Sequence, residues 1–485
     1  MREKNLLIIM SDEHRRDAMG CMGHPIVKTP HLDALAARGA VFEHAYTPSP
    51  ICVPARAALA TGEWVHAVGH WDSATPYAGQ QTSWMHQLRD AGVEVVSIGK
   101  LHFRSDKDDN GFSKEIIPMH VVGGVGWPID LLRSPLPDYD AASELAGDVG
   151  VGDSSYTDYD RDVTVRAEDW LRARKDSDQP WAAFVSMVSP HYPLTCPEEW
   201  YNLYDPAEMD LPVVYGEDPP AHTELRSLRG FWNYDDYFDA QKTREAKAAY
   251  YGLTSFMDDC VGRILAALED SGQAEDTVVI YISDHGDMMG DQGFWTKQVM
   301  YEQSAGVPMI VAGPGVPEGR RVNTCANLRD IAATAMDVTG VDGVAKGRSL
   351  CELAAAPDDP NRTGFSEYHD GGSTTGTFMV RWADWKYVHY VGHDPQLFNL
   401  ASDPDERVNL AVRGLRDPAV RAALVEGDKR LREICDPEAV NARAFADQKR
   451  KIAELGGEEA CLTAYLFNHT PTPVEQQKLK GEGGA

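Results

Sequence analysis

No stretch of this chain is apolar over the roughly 20 residues that a membrane span needs. Basic residues are scarce: 46 Lys and Arg face 75 Asp and Glu, a net charge of −29 at neutral pH. That field argues against nucleic acid or an anionic membrane surface as a partner, although one basic pocket could still hold a small anion. Cysteine pairing signals are missing as well. Cys21, Cys52, Cys196, Cys260, Cys325, Cys351, Cys435 and Cys461 are scattered, and no two have C-x-x-C spacing. Neither a disulfide framework nor a thiolate zinc site is expected, and most of these thiols read as core residues. There is no internal repeat. Met1-Arg-Glu-Lys leads straight into the short run Leu6–Met10, so no signal peptide is expected and a reducing cytoplasm fits. Without secretion, the Asn361-Arg-Thr and Asn468-His-Thr patterns carry no glycosylation.

What is present is a globular composition, 43% hydrophobic and 25% charged over 485 residues. That is too long for one simple core, so a large domain and a smaller one are expected. Residues 5–10, 93–98, 181–188, 277–282 and 307–311 are short apolar runs of the kind that make buried parallel strands. Helices separate them. Thr29 reads as an N-cap with Pro30 at the first position and Gly39 as the stop. A second helix is expected near 81–91. Val163, Ala167, Trp170 and Leu171 follow helical spacing, and Tyr250, Leu253, Met257, Cys260, Ile264 and Leu268 stripe a long helix over about 244–270. Residues 105–160 lack a clear period and read as loop and a substrate-facing insertion, and 196–240 again read as a long functional loop. Beyond about 370 the pattern changes to a hairpin, 378–381 with 385–390, then Leu397–Leu400, a helix over about 417–434 and a polar tail. The tail is expected to fray or to order against another subunit. The fold class is therefore α/β: a large, mainly parallel sheet flanked by helices in 1–370, with a small α+β domain in 371–485.

Chemistry collects at the strand ends. The first four runs lead into Asp12-Glu13, Lys100 with His102, His191, and Asp284-His285. In open α/β sheets the ligand crevice lies at the carboxyl ends of the strands, so these distant segments should converge. Asp12, Glu13 and Asp284 offer hard oxygens and His285 a nitrogen, a set suited to Ca²⁺, Mg²⁺ or Mn²⁺. Arg56, Lys100, His102, His191 and Lys297 add cations and proton donors, as transfer of a sulfuryl or phosphoryl group would need. One further stretch, Ser49–Gly62, reads as a helix mouth. Pro54 takes the first helical position, Gly62 is the stop, and Cys52 sits just ahead of the free N–H groups. On its own, Cys52 could equally be an inert thiol.

Cys52-Val-Pro54-Ala-Arg56 resembles the C-x-P-x-R signature of the type I sulfatases, within the alkaline phosphatase superfamily. The resemblance runs from Leu6 to about Leu410. It takes in Thr29-Pro-His-Leu-Asp33, Gly99-Lys-Leu-His102, Ser189-Pro-His191 and Ser283-Asp-His-Gly-Asp287, then Trp295-Thr-Lys297 with Tyr301-Glu302, and Leu397–Pro404. Ser-Asp-His-Gly-Asp-Met is similar to the choline sulfatase and phosphonate monoester hydrolase branch. Two positions differ from the family pattern. Ala55 stands where many members have Ser, and Glu13 where Asp or Gln is usual.

The resemblance implies an alkaline phosphatase-like fold, a sulfuric ester hydrolase and one divalent cation, Ca²⁺ before Mg²⁺ or Mn²⁺. Asp12, Glu13, Asp284 and His285 would be metal ligands, together with Cys52 after a maturation enzyme has oxidised it to formylglycine. Arg56 would steady the aldehyde hydrate. Lys100, His191 and Lys297 would hold the sulfate, His191 or Lys297 would protonate the leaving alcohol, and His102 would remove the proton of the second hydroxyl. The expected partners are a small sulfate ester, the maturation enzyme and possible copies of the chain, with no nucleic acid and no membrane. A phosphonate monoester or phosphodiester hydrolase using the same groups is the enzymatic alternative. A non-catalytic, cation-binding relative is the other. Trp71, Tyr77, Phe103, Tyr192, Trp295 and His369 are candidates for an aromatic substrate pocket, which would suit choline.

Overall fold

A computed structural model describes residues 4–139, 142–175, 177–217, 222–464 and 469–482; Asn468 lies outside these. Its centre is β1 (Asn5–Asp12), buried along its whole length. Successive side chains of a strand point to opposite faces, and here both faces are covered. Leu6, Ile8 and Met10 join one hydrophobic cluster, and Leu7 and Ile9 join another. Burying each such side chain contributes about 1.5–3 kcal/mol, so a continuous apolar run is the pattern this position demands.

Around β1 the sheet adds β2 (Gly39–Phe42), β3 (Glu94–Lys100), β4 (Lys114–Met119) and β5 (Trp181–Pro190). It is completed by β6 (Thr277–Ser283), β7 (Met309–Ala312) and β8 (Arg320–Val322). The spatial order is β8-β2-β7-β6-β1-β5-β3-β4. β6, β1, β5, β3 and β4 run parallel, with Leu6 opposite Ala182 and Val278. β7 runs antiparallel to both neighbours. The mainly parallel sheet expected from the apolar runs is therefore observed, with one reversed strand that periodicity could not orient.

α1 (Pro30–Ala37), α4 (Ser155–Arg172) and α5 (Ala240–Asp270) cover the Leu7 face. α2 (Cys52–Thr61), α3 (Trp84–Asp90) and α6 (Asp330–Thr339) cover the Leu6 face. Several local expectations are corrected. Cys52 opens α2 and does not merely precede it; Pro54 is the third residue, and Gly62 closes the helix in the left-handed region as expected. Gly39 does not cap α1. Arg38 does, and Gly39 begins β2, where an added Cβ would lie 2.2 Å from the Val311 carbonyl oxygen. Thr29 holds the N-cap position, but its hydroxyl accepts from the Gly20 N–H. Residues 105–160 and 196–240 are not loop throughout: the first contain β4 at the sheet edge, and the second a helix at Thr223–Trp232. The β4 run, Lys-Glu-Ile-Ile-Pro-Met, is partly exposed and carries a proline, which hides an edge strand from an apolar-run search.

The C-terminal region is a four-stranded antiparallel sheet: β9 (Gly364–Tyr368), β10 (Thr377–Trp382), β11 (Trp385–Tyr390) and β12 (Gln396–Asn399). Its first strand lies ahead of residue 371. α7 (Pro418–Ile434) packs on this sheet, and α8 (Pro437–Glu454) follows. The tail does not simply fray: Pro473–Glu482 form α9, and the Gln476 amide donates to the His120 carbonyl at 3.0 Å. No helix among the described residues is long and apolar enough to cross a membrane.

Candidate active site

The parallel strands deliver the expected residues to one place. Asp12 ends β1, Lys100 ends β3, His191 follows β5, and Asp284 and His285 follow β6. Cys52 enters from the N-terminus of α2, and Lys297 from the segment between β6 and β7. Two glycines of the motifs are required by crowding. At Gly99 (φ +103) a Cβ would meet the Ser186 carbonyl oxygen at 2.1 Å, and at Gly286 it would meet that of Gln303 at 1.9 Å. Glu13, His102, Thr296 and Gln298 all hold left-handed backbone, a strained conformation for such residues and a recurrent companion of functional sites.

Arg56 is the organiser. Its Nε donates to Asp284 Oδ2 at 2.8 Å and its Nη2 to Asp12 Oδ2 at 2.9 Å. Its Nη1 reaches the Lys100 carbonyl and Ser186 Oγ at 2.9 and 3.0 Å. Lys100 Nζ lies 2.6 Å from the same Asp12 Oδ2. With both Oδ2 atoms taken, the Oδ1 atoms of Asp12 and Asp284 lie 3.8 and 3.7 Å from His285 Nε2, and Cys52 Sγ lies 3.1 Å from that nitrogen. The His285 Nδ1–H donates to the Gly286 carbonyl at 3.0 Å, so Nε2 presents its lone pair to the group.

Asp12, Cys52, Asp284 and His285 thus offer four donor atoms within 4.8 Å of one another, all buried. Two carboxylate oxygens, an imidazole nitrogen and one sulfur or oxygen fit a hard divalent cation. Burial opposes charge on Asp12, but Lys100, His191, Arg56 and His285 outweigh it and hold its carboxyl well below the usual range. Burial pushes the Cys52 thiol up to about 12, reinforced by Asp12, so an unmodified thiol here is a poor source of thiolate. Burial brings His285 down to about 4, in its neutral, ligating form.

Glu13 turns the other way. It groups with Asp12 and His191, outside the four-donor set, and its Oε2 accepts from Lys297 Nζ at 2.9 Å. Lys297 also donates to His191 Nε2 at 2.7 Å, while the His191 Nδ1–H donates to the Tyr192 carbonyl at 2.6 Å. Burial, then Lys297, keeps His191 neutral. Burial works against the Lys297 charge, but its acidic neighbours, Glu13 and Asp12 among them, raise it well above the usual lysine range. His102 sits on the Lys100 side, its charged form disfavoured by burial, Lys100 and Arg56.

These groups line one crevice whose outer wall is aromatic: Trp127, Tyr139, Tyr156, Tyr192, Trp232 and Tyr234, with Asp130 among them. Of the six aromatic candidates named from sequence, only Tyr192 is on this wall. The others pack elsewhere, Tyr77 against Phe103, Trp71 against His369, and Trp295 against Phe238. Sequence reasoning also missed Ser186, which braces Arg56, and Asp160, whose carboxylate accepts the Val188 and Ser189 N–H groups and so fixes the His191 turn. A helical Asp facing a strand end is indistinguishable in sequence from any helix-surface Asp.

A mainly parallel sheet whose strand ends gather a candidate hard-cation donor set beside Lys100, His191 and Lys297 is an arrangement suited to an anionic ester. Comparison with known proteins narrows that reading. The family model "Sulfatase" matches residues 4–341, and the model "N-sulphoglucosamine sulphohydrolase, C-terminal" matches residues 290–432. The chain is similar to a choline-sulfatase of Rhizobium meliloti (strain 1021), 30% identical over 92% of this chain and 90% of that protein. It is equally similar to arylsulfatase K of Danio rerio, 30% identical over 93% and 87%. In fold it resembles the phosphonate monoester hydrolase of Agrobacterium radiobacter (TM-score 0.70, 22% identity, 91% of this chain and 96% of that one). A 2-O GAG sulfatase gives a TM-score of 0.67 at 22% identity over 99% and 100%. The chain belongs to the sulfatase family and is a sulfuric ester hydrolase.

Proposed function

We propose that the chain hydrolyses small aryl or alkyl sulfate esters at a formylglycine made from Cys52, with a divalent cation, Ca²⁺ by preference, held by Asp12, Asp284 and His285. The observation that carries this reading is the position of Cys52 Sγ, inside the four-donor group at the mouth of α2. The cation and the hydrated aldehyde would supply a polarised oxygen nucleophile there. The protein's own groups do the rest. Arg56 and Lys100 hold the outer carboxylate oxygens. Lys100, His191 and Lys297 face the sulfate oxygens, Lys297 carries a proton beside His191 for the departing alcohol, and neutral His102 can accept one. Glu13 is better placed to hold Lys297 than to bind the cation. We further propose that the chain up to about residue 363 forms the catalytic domain and that the smaller one opens with β9, a few residues ahead of the expected boundary at 370, and that a maturation enzyme converts Cys52 in the cytoplasm. All eight thiols are unpaired, as a reducing compartment would leave them.

The outer wall suggests the substrate's other end. Asp130 stands among the aromatic rings; burial, Asp370 and Asp72 push it well above the usual carboxylate range, and a substrate cation seated beside it would favour its charged form. Choline sulfate, named by one relative, has that shape. A phosphonate monoester hydrolase is the second reading, favoured by the fold neighbour; Lys100-x-His102 favours the sulfatase.

The test is co-expression with a formylglycine-generating enzyme, followed by peptide mass and kinetics. The Cys52 peptide is expected to lose roughly 18 Da, with kcat/KM higher for 4-nitrophenyl sulfate than for a phenylphosphonate ester. Cys52→Ala should fold and lose turnover by at least about 1,000-fold. An unmodified Cys52 in an active enzyme, or a preference for the phosphonate, refutes the proposal.

A further inference from the structure

The catalytic crevice contains a piece of chain that none of the motifs announces. Thr470, 368 residues beyond His102, places its Oγ1 2.7 Å from His102 Nε2. The Thr470 carbonyl accepts from the Tyr156 hydroxyl at 2.9 Å, and the His469 ring packs edge-on against Tyr156 at 5.0 Å. Tyr156 in turn lies 5.8 Å from the His191 ring. The segment therefore touches His102 directly and reaches the His191 side through Tyr156. Its burial is local. Thr470 is 1% and Thr472 4% exposed, whereas Val474 and Leu479 of α9 are exposed, at 62% and 40%. Two anchors hold the entry: the Thr472 N–H and hydroxyl both donate to Glu475 Oε2 at 2.7 and 2.8 Å, and Gln476 is tied to His120. An apolar segment would be buried here for its surface alone. His-Thr-Pro-Thr is polar, so its burial is explained by the hydrogen bonds it makes.

From the other side, His102 needs such a partner. It holds left-handed backbone at φ +55, lies 3% exposed, and its Nδ1 is buried with no hydrogen-bond partner. A neutral imidazole has one donor and one acceptor nitrogen, and the bond made by one nitrogen decides the state of the other. Because the hydroxyl occupies Nε2, Nδ1 is the nitrogen left for chemistry. We infer that Thr470 is a positioning residue of the active site, brought in by the C-terminal segment to fix the ring orientation of His102. The inference rests on the sulfatase reading for the role of His102, but the hydrogen bond can be tested without it.

The experiment compares Thr470→Val and Thr470→Ser in the full-length, matured protein. Val keeps the shape and removes the hydroxyl; Ser keeps the hydroxyl. For 4-nitrophenyl sulfate, Thr470→Val should lower kcat about 10- to 100-fold with KM nearly unchanged, and Thr470→Ser should recover most of it. The ¹⁵N shifts of the His102 ring, assigned against His102→Gln, should move in the Val variant and stay in the Ser variant. Unchanged kcat with unchanged ring shifts overturns the inference, as does equal loss in both variants. If the parent protein hydrolyses no sulfate ester, the functional reading fails. The ring shifts then decide the positioning role alone.

Discussion

Among the described residues, the buried charge clusters around Glu302 and around Arg56 are built differently. Around Glu302, the carboxylate meets Arg16 Nη2 at 2.5 Å, Lys386 Nζ at 3.0 Å and the Tyr46 hydroxyl. Glu406 closes the group, its Oε1 2.8 Å from Lys386 and its Oε2 accepting the Glu302 N–H at 2.7 Å. Each charge is met by an opposite charge or a donor, and the cluster ties the Tyr301-Glu302 segment to β11 and to the Glu406 loop. Around Arg56 the outer oxygens of Asp12 and Asp284 are met in the same way, but their inner oxygens converge with Cys52 and His285 on a shared point. Buried charge is costly in both places. In the first, mutual pairing offsets the cost and the result is structural. In the second, Asp284 Oδ1 also accepts the Glu13 and His285 N–H groups, yet both inner oxygens converge with Cys52 and His285 and make a site.

The difference can be broken from either side. Asp284→Asn should have the largest effect on activity: kcat/KM down by at least about 100-fold, with the bound cation measured by elemental analysis falling from near one per chain. Full activity and full metal content in that variant would show that the Arg56 cluster is structural after all. Lys386→Met should invert the pattern. Removing one partner from a buried pair destabilises by about 3–5 kcal/mol, visible in denaturant unfolding, while kcat per folded molecule stays within about threefold. A loss of kcat without a loss of stability would mean the second cluster feeds the site. The smallest effect is expected at the crevice's outer wall. Asp130→Asn should lower kcat/KM for choline O-sulfate about tenfold relative to its uncharged isostere, 3,3-dimethylbutyl sulfate. Equal loss for both substrates would remove the cation-facing role of Asp130.

Legibility followed sequence distance and chemistry. β1, β3, β5 and β6 were readable because a strand buried on both faces must be continuously apolar, and polar residues at its end then stand out. Asp12, Lys100, His102, His191, Asp284 and His285 come from those ends, and the structure brings them together around Cys52. β4 was not readable, because an edge strand satisfies no such demand. The reversal of β7 is fixed by pairing with β6 and β2, which no run of Met-Ile-Val-Ala encodes locally. The aromatic wall was misassigned for the same reason. An aromatic residue buried in a core and one facing a crevice share the same composition and periodicity, and only packing separates Tyr77 from Tyr156.

By itself the sequence determined the α/β class, the strand ends that carry the chemistry, the sulfatase signature at Cys52 and the absence of a membrane-length apolar run. These are local properties, set by side-chain period, capping and residue type within a few positions. Tertiary structure alone decided that Glu13 accepts from Lys297, that Arg56 takes one oxygen from each of two carboxylates, and that Thr470 reaches His102 across 368 residues. Such choices depend on distances between segments remote in the chain. They are fixed only when burial forces every polar group to find a partner.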